Sequence, residues 1–176
     1  MAVIIKDRKV VSDPWQRLEL APDGSLPPVP PAGDILVPLA LWRAERNALL
    51  ARSGQIGVWL DSHEDPALIV GDLRHFAVVA VNFPKFLDGR GYSTAQLLRQ
   101  RYGWKGELRA IGDVFRDQLF FLASCGFSTY ALREGEDPQE ALAAFGDFSE
   151  IYQSTVERPV PLFRRRAPTV ADGSQG

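Results

Sequence analysis

Phe76-Ala77-Val78-Val79-Ala80-Val81-Asn82 opens a stretch that runs on to Glu136. Its β-branched run leads into a Gly/Asp/Arg-rich turn, Asp88-Gly89-Arg90-Gly91-Tyr92-Ser93, and a helix-like segment follows. The strand-like Glu107 to Ile111 comes next, then Gly112-Asp113, a second helix-like segment, and a strand-like run from Ser128 to Leu132. Strand, polar turn, helix, strand is the order of βα units that feed a parallel sheet. In such sheets ligands sit outside the carboxyl ends of the strands. Asn82, Asp88, Arg90, Asp113, Arg116, Arg133 and Glu134 are expected at that edge.

The same rhythm extends outward in both directions. Ile35 to Leu39 reads as a strand shortened by Pro38, followed by a helix from Ala40 to Arg52 that stops at Ser53-Gly54. Gln55 to Leu60 is the next strand, and Asp65-Pro66 starts a short helix toward Leu73 with proline in the first turn. Ser93 to Gln96 has capping-box spacing, and Asp113 is expected to cap a helix ending at Ser124. Asp137-Pro138 starts a helix through Phe145; beyond it, Ile151 to Gln153 reads as a strand and Val160 to Phe163 as an apolar anchor.

Three segments follow from this reading. Residues 1–33 form a small N-terminal β arm with a Pro-rich linker, residues 34–163 an α/β domain, and residues 164–176 a flexible, dispensable tail. The fold class expected is α/β, with about five sequential βα units in a mostly parallel sheet. That sheet is either a partial (β/α) barrel or an open doubly wound sheet.

A chain of 176 residues, 45% apolar and 24% charged, suits one globular domain with a real core. A net charge of -2 gives no argument for nucleic-acid or acidic-membrane affinity. The single cysteine, Cys125, excludes an intrachain disulfide and a thiolate cluster, and its place at an apolar helix end reads as packing. His63 and His75 lack the spacing of a helical metal pair, so no metal and no cofactor are expected. No run approaches the roughly 18 apolar residues of a membrane span, and the first residues are charged too early for a signal peptide. A cytoplasmic location with no membrane or nucleic-acid partner is expected.

Two stretches carry a resemblance. They are Asn82-Phe83-Pro84-Lys85-Phe86-Leu87-Asp88-Gly89-Arg90-Gly91-Tyr92-Ser93 and Gly106-Glu107-Leu108-Arg109-Ala110-Ile111-Gly112-Asp113-Val114. Tyr102-Gly103, Arg116-Asp117-Gln118-Leu119 and Cys125-Gly126-Phe127 add to it. Through these motifs the chain resembles the bacterial family named domain of unknown function 934, over most of residues 30–140. The resemblance implies a companion of assimilatory sulfite reductase with an oxidoreductase-like label, and it brings no catalytic residues.

The candidate anion, ligand or partner-binding residues are Asn82, Lys85, Asp88, Gly89, Arg90, Gly91, Tyr92, Ser93, Asp113, Arg116 and Arg133. The glycines let backbone N–H groups approach a ligand and Arg90 supplies a bidentate fork. The bland alternative is a local Asp88–Arg90 pair with glycines at positive φ. Asp117 is expected to pair near Arg116 or with Arg109. Arg90 and Arg116, coming from adjacent crossovers, would share one anion. Trp104 and Tyr92 either stack on a ligand or pack.

Two functions follow. The first is a non-catalytic accessory protein that binds sulfite reductase or its redox partner, as a monomer or an oligomer. The second is an oxidoreductase-like enzyme acting on a small anion or a phosphate-bearing cofactor held by Arg90 and Arg116.

Overall fold

The computed structural model of the chain describes residues 2–84, 89–143 and 145. Lys85, Asp88, the expected strand at 151–153, the anchor at 160–163 and the tail at 164–176 lie outside the described residues.

The strands are short, β-branched and apolar where both faces are covered. They are β1 (Val3–Lys6), β2 (Lys9–Ser12), β3 (Gln16–Arg17), β4 (Ile35–Pro38), β5 (Ile56–Leu60), β6 (Val78–Phe83), β7 (Glu107–Gly112) and β8 (Thr129–Tyr130). They form one sheet in the order β2-β1-β8-β7-β6-β5-β4-β3. From β3 to β8 every neighbour is parallel and next in sequence, whereas β1 is antiparallel to both β8 and β2. A doubly wound sheet needs its strand order to reverse; here it does not. The sheet is mostly parallel and curled into a half-barrel.

The chain itself requires the curl. Ser12 ends β2 at one edge, and Gln16 begins β3 at the other. Four residue steps reach at most about 14 Å, whereas seven flat inter-strand gaps would span about 34 Å. Only a curled sheet brings the two edges that close. The expected N-terminal appendage is therefore woven into the sheet and supplies strands at both of its edges. The Pro-rich linker that follows is irregular, as its prolines predict, and Arg52 pins it through Nε to Pro30 O at 2.9 Å and Nη2 to Gly33 O at 2.6 Å.

Alternation along each strand sorts side chains to two faces. Ile35, Val37, Val58, Leu60, Val79, Val81, Leu108 and Ala110 point into the main core with the helices. Those helices are α1 (Leu39–Ala51), α2 (Arg90–Gln96), which runs on through a π turn to Arg101, and α3 (Leu119–Ser124). A 3-10 segment, Pro66–His75, covers the sheet between β5 and β6, with Asp65 accepting from Ala67 N at 2.9 Å as its cap. Residues 138–143 and 145 are helical, and Asp137 caps them through Gln139 N at 2.9 Å. The opposite face, free of helices among the described residues, carries a smaller cluster of Leu36, Trp59, Val78, Ala80 and Ile111, with Trp15, Ala77 and Ala131 against it.

Two helix starts differ from expectation. α2 begins at Arg90, so Ser93 lies inside it rather than capping it. Asp113 caps no helix: a 3-10 turn, Arg116–Gln118, begins after Phe115, whose N–H is held by Gln118 Oε1 at 2.8 Å, and α3 starts only at Leu119. Among the described residues no helix is long and apolar enough to cross a membrane.

Candidate functional site

The carboxyl ends of β5, β6 and β7 meet in one hydrogen-bonded rim. Asn82 Nδ2 donates to Asp61 Oδ1 at 3.1 Å, and the same oxygen accepts from Ser62 N at 2.9 Å. Glu64 Oε1 accepts from Asp61 N at 2.7 Å, which folds the following turn back on itself. Gly112 ends β7 at a φ of 93°, where a Cβ would come within 2.3 Å of Asn82 Oδ1 and 2.6 Å of Phe83 O. Only glycine closes this junction, and Asp113 N then reaches Phe83 O at 2.7 Å.

Arg90, exposed at the start of α2, donates from Nη2 to Ser62 Oγ at 3.1 Å. Its neighbours in the turn are structural in their geometry. Gly89 precedes the helix with an ordinary φ of −87°, so it needs no left-handed backbone. Gly91 is buried because a Cβ there would come within 2.5 Å of the Phe83 ring. Tyr92 packs between Phe83 at 5.2 Å and Phe121 at 4.6 Å, and its hydroxyl accepts from Gln118 Nε2 at 3.0 Å. Burial raises its phenol above the ordinary value. Ser93 is exposed on the helix.

On the far side of β7, Arg133 stacks over Phe115 at 4.4 Å and lies 3.6 Å from Asp113 Oδ1. Arg116 is exposed; its N–H donates to Glu136 Oε1 at 3.2 Å and its Nη1 to Glu140 Oε2 at 3.3 Å. Arg90 thus donates to Ser62, and Arg116 to Glu136 and Glu140. Trp104 lies at the opposite end of the sheet, its indole donating to Glu107 O at 3.1 Å. A cavity of about 610 Å³ is also at that opposite end, lined in part by Arg8, Arg99, Trp104, Lys105 and Phe145. Arg99 is committed there to the carbonyls of Gly126, Trp104 and Gly106 at 2.8–2.9 Å.

Sequence reasoning missed the helix-free face. Arg109, 2% exposed, pairs with both Asp13 oxygens at 3.1 Å and with Glu107 Oε2 at 2.9 Å from Nη2; Asp117 is not its partner. Lys6 Nζ adds a second cation 3.0 Å from Glu107. Next to this network lies a cavity of about 240 Å³, lined by Asp13, Trp15, Arg17, Leu36, Arg109, Ile111, Gly112, Ala131, Leu132, Arg133 and Glu134. Arg17 of β3 lines one side of it, with its guanidinium 4.7 Å from the Trp59 ring. Arg17 Nε is buried with no hydrogen-bond partner among the described residues. Burial lowers this guanidinium from its ordinary value, opposed by Glu19 and Asp61. The signal in the sequence was the alternation Glu107-Leu108-Arg109-Ala110, which puts two charges on one face of a buried strand.

The sequence model of the family described as "Bacterial protein of unknown function (DUF934)" matches residues 57–163, more than half of the chain. The chain belongs to this family. No curated protein and no solved structure matches it. The match begins at β5 and covers the Asp61, Asn82, Arg90, Gly112 and Arg133 rim, while Asp13, Trp15 and Arg17 lie ahead of it.

Cys125 is 1% exposed, and burial pushes its thiol up to about 11. A thiol so placed is not the thiolate that attack requires. His75 packs beside Trp42 and 3.3 Å from Arg46, and His63 is exposed in a turn.

Proposed function

We propose that this chain is an accessory protein of assimilatory sulfite reduction that docks on the sulfite reductase, or on its redox partner, through the strand-end edge of the half-barrel. The observation that carries this is the rim of exposed, loosely paired charges at that edge. Arg116 and Glu140 pair at 3.3 Å while 47% and 67% exposed, and Arg133 and Asp113 lie 3.6 Å apart. Surface pairs of this kind contribute only about 0–1 kcal/mol, so exchanging them for a partner's charges costs the fold little. Arg90 is exposed at the same edge, at the start of α2, and a guanidinium there suits a partner's carboxylate. The link to sulfite reduction comes from the family resemblance of the segments at 82–93 and 106–114. A binding role fits a protein whose thiol is buried and whose histidines are packed or solvated.

The test is co-purification of the tagged chain with assimilatory sulfite reductase and with its redox partner. Binding is expected at low salt and should weaken steeply as the Debye length shortens. Arg90→Ala and Arg116→Ala should fold with wild-type melting temperatures and lose most of the capture. Absence of capture at low salt, or capture indifferent to both substitutions, would remove the docking edge.

A further inference from the structure

We propose that the 240 Å³ cavity on the helix-free face binds a small inorganic oxyanion, of the phosphate, sulfate or sulfite class, between the guanidinium groups of Arg17 and Arg133. This goes beyond the docking role and stands without it. Both arginines line the cavity, and each lies against a ring, Trp59 for Arg17 and Phe115 for Arg133. Stacking fixes the guanidinium plane and leaves its in-plane N–H groups for an acceptor, the arrangement that suits a tetrahedral or pyramidal oxyanion.

Arg17 carries the argument furthest. Its Nε–H is buried with no acceptor among the described residues, a costly state that an oxyanion in the cavity relieves once a small shift of the side chain opens Nε to one oxygen. Among the described residues its Nη2 pairs with Glu19, 65% exposed, at 3.3 Å. Such a pair exchanges readily for a better acceptor. Arg133 has an equally replaceable partner in Asp113. Two carboxylates line the same cavity and must be accounted for. Asp13 is engaged by Arg109 through both oxygens, and Glu134 is exposed. Arg109 is itself balanced by Asp13 and Glu107, so the positive charge at the cavity held only by replaceable partners is that of Arg17, near Glu19 and Asp61, and of Arg133, near Asp113.

Size narrows the ligand. About 240 Å³ takes an oxyanion and a few waters but falls below the roughly 300–1,000 Å³ of sites for drug-sized or cofactor-sized ligands.

The experiment is isothermal titration of the full chain at low ionic strength with phosphate, sulfate and sulfite, and with chloride as the monovalent control. Saturable binding of at least one oxyanion is expected, with none for chloride, and the tightest of the three names the source. Trp15 lines the cavity and Trp59 underlies Arg17, so tryptophan fluorescence should change with the same concentration dependence. Arg17→Gln and Arg133→Gln should each weaken binding about tenfold or more, Arg17→Lys should recover part of it, and Arg43→Gln on the far side of α1 should change nothing. If Arg17→Gln fails to fold, Arg133→Gln decides, because Arg133 is exposed and its removal leaves the core intact. No saturable signal at millimolar oxyanion would overturn the proposal. So would binding that survives Arg133→Gln unchanged, which places the ion elsewhere. Arg133 belongs to both surfaces, but neither result decides the docking role, which is read by capture with Arg90→Ala and Arg116→Ala.

Discussion

Glu107 and Arg109 show how far single residues could be read. Their alternation with Leu108 and Ala110 puts both on one face of β7, and that much is visible in the sequence. Their partners are not, because Asp13 lies 96 positions away and meets Arg109 only after the sheet curls. Burial alone would raise the Glu107 carboxyl, but Arg109 and Lys6 outweigh it and hold it below its ordinary value. A carboxyl with a lowered folded value contributes stability that is complete above its unfolded value, about 4.3 for glutamate, and lost as pH falls through the folded value. Urea midpoints measured from pH 7 down to pH 3 should therefore fall more steeply for the wild type than for Glu107→Gln. At neutral pH Glu107→Gln should cost about 1–3 kcal/mol, less than a fully broken buried pair, because Asp13 still faces Arg109. Parallel pH profiles for the two proteins would mean that the buried network does not set acid stability.

At the scale of elements, strands were legible and helix starts were not. Each strand expected between residues 34 and 132 is present within a few residues, because β-branched runs bounded by glycine and proline leave few other readings. α2 was placed four residues late, with Ser93 as its cap where Gly89 stands. Its buried stripe is Gly91, Thr94, Ala95 and Leu98, spaced as one helix face. Two of these four are not apolar in the usual sense, so the stripe does not register as hydrophobic periodicity. Their smallness is what counts, since it lets α2 lie directly on Phe83. Gly91→Ala separates packing from propensity. Alanine would favour the helix by about 1 kcal/mol, whereas the new Cβ meets the Phe83 ring at 2.5 Å, and overpacking of that kind costs about 1–3 kcal/mol. Net destabilisation is expected by thermal melting. Unchanged or raised stability would mean that Phe83 and Tyr92 shift freely to make room.

For the whole molecule, strand order was readable and closure was not. A sequential βα rhythm is compatible with a sheet wound on one face or on both, and only the observed order excludes the second. The N-terminal residues resisted reading because Ile5 pairs with Tyr130 and Gln16 with Ile35, contacts no local pattern announces. These residues bear directly on stability. Ile5 is fully buried and Leu18 is 6% exposed in the main core, and Trp15 packs on the helix-free face. Burial of each large apolar side chain contributes roughly 1.5–3 kcal/mol. Removing Asp13 also deprives buried Arg109 of a partner, a change of several kcal/mol when the charge is left uncompensated. Together these losses are comparable with the whole net stability of about 5–15 kcal/mol for a domain of this kind. A chain beginning at Asp34 should therefore show no cooperative thermal transition, although it retains all of the residues matched by the family. Circular dichroism and calorimetry on that chain decide the matter. A cooperative transition within a few degrees of the intact protein would mean that the N-terminal strands are an appendage after all and that the half-barrel closes without them.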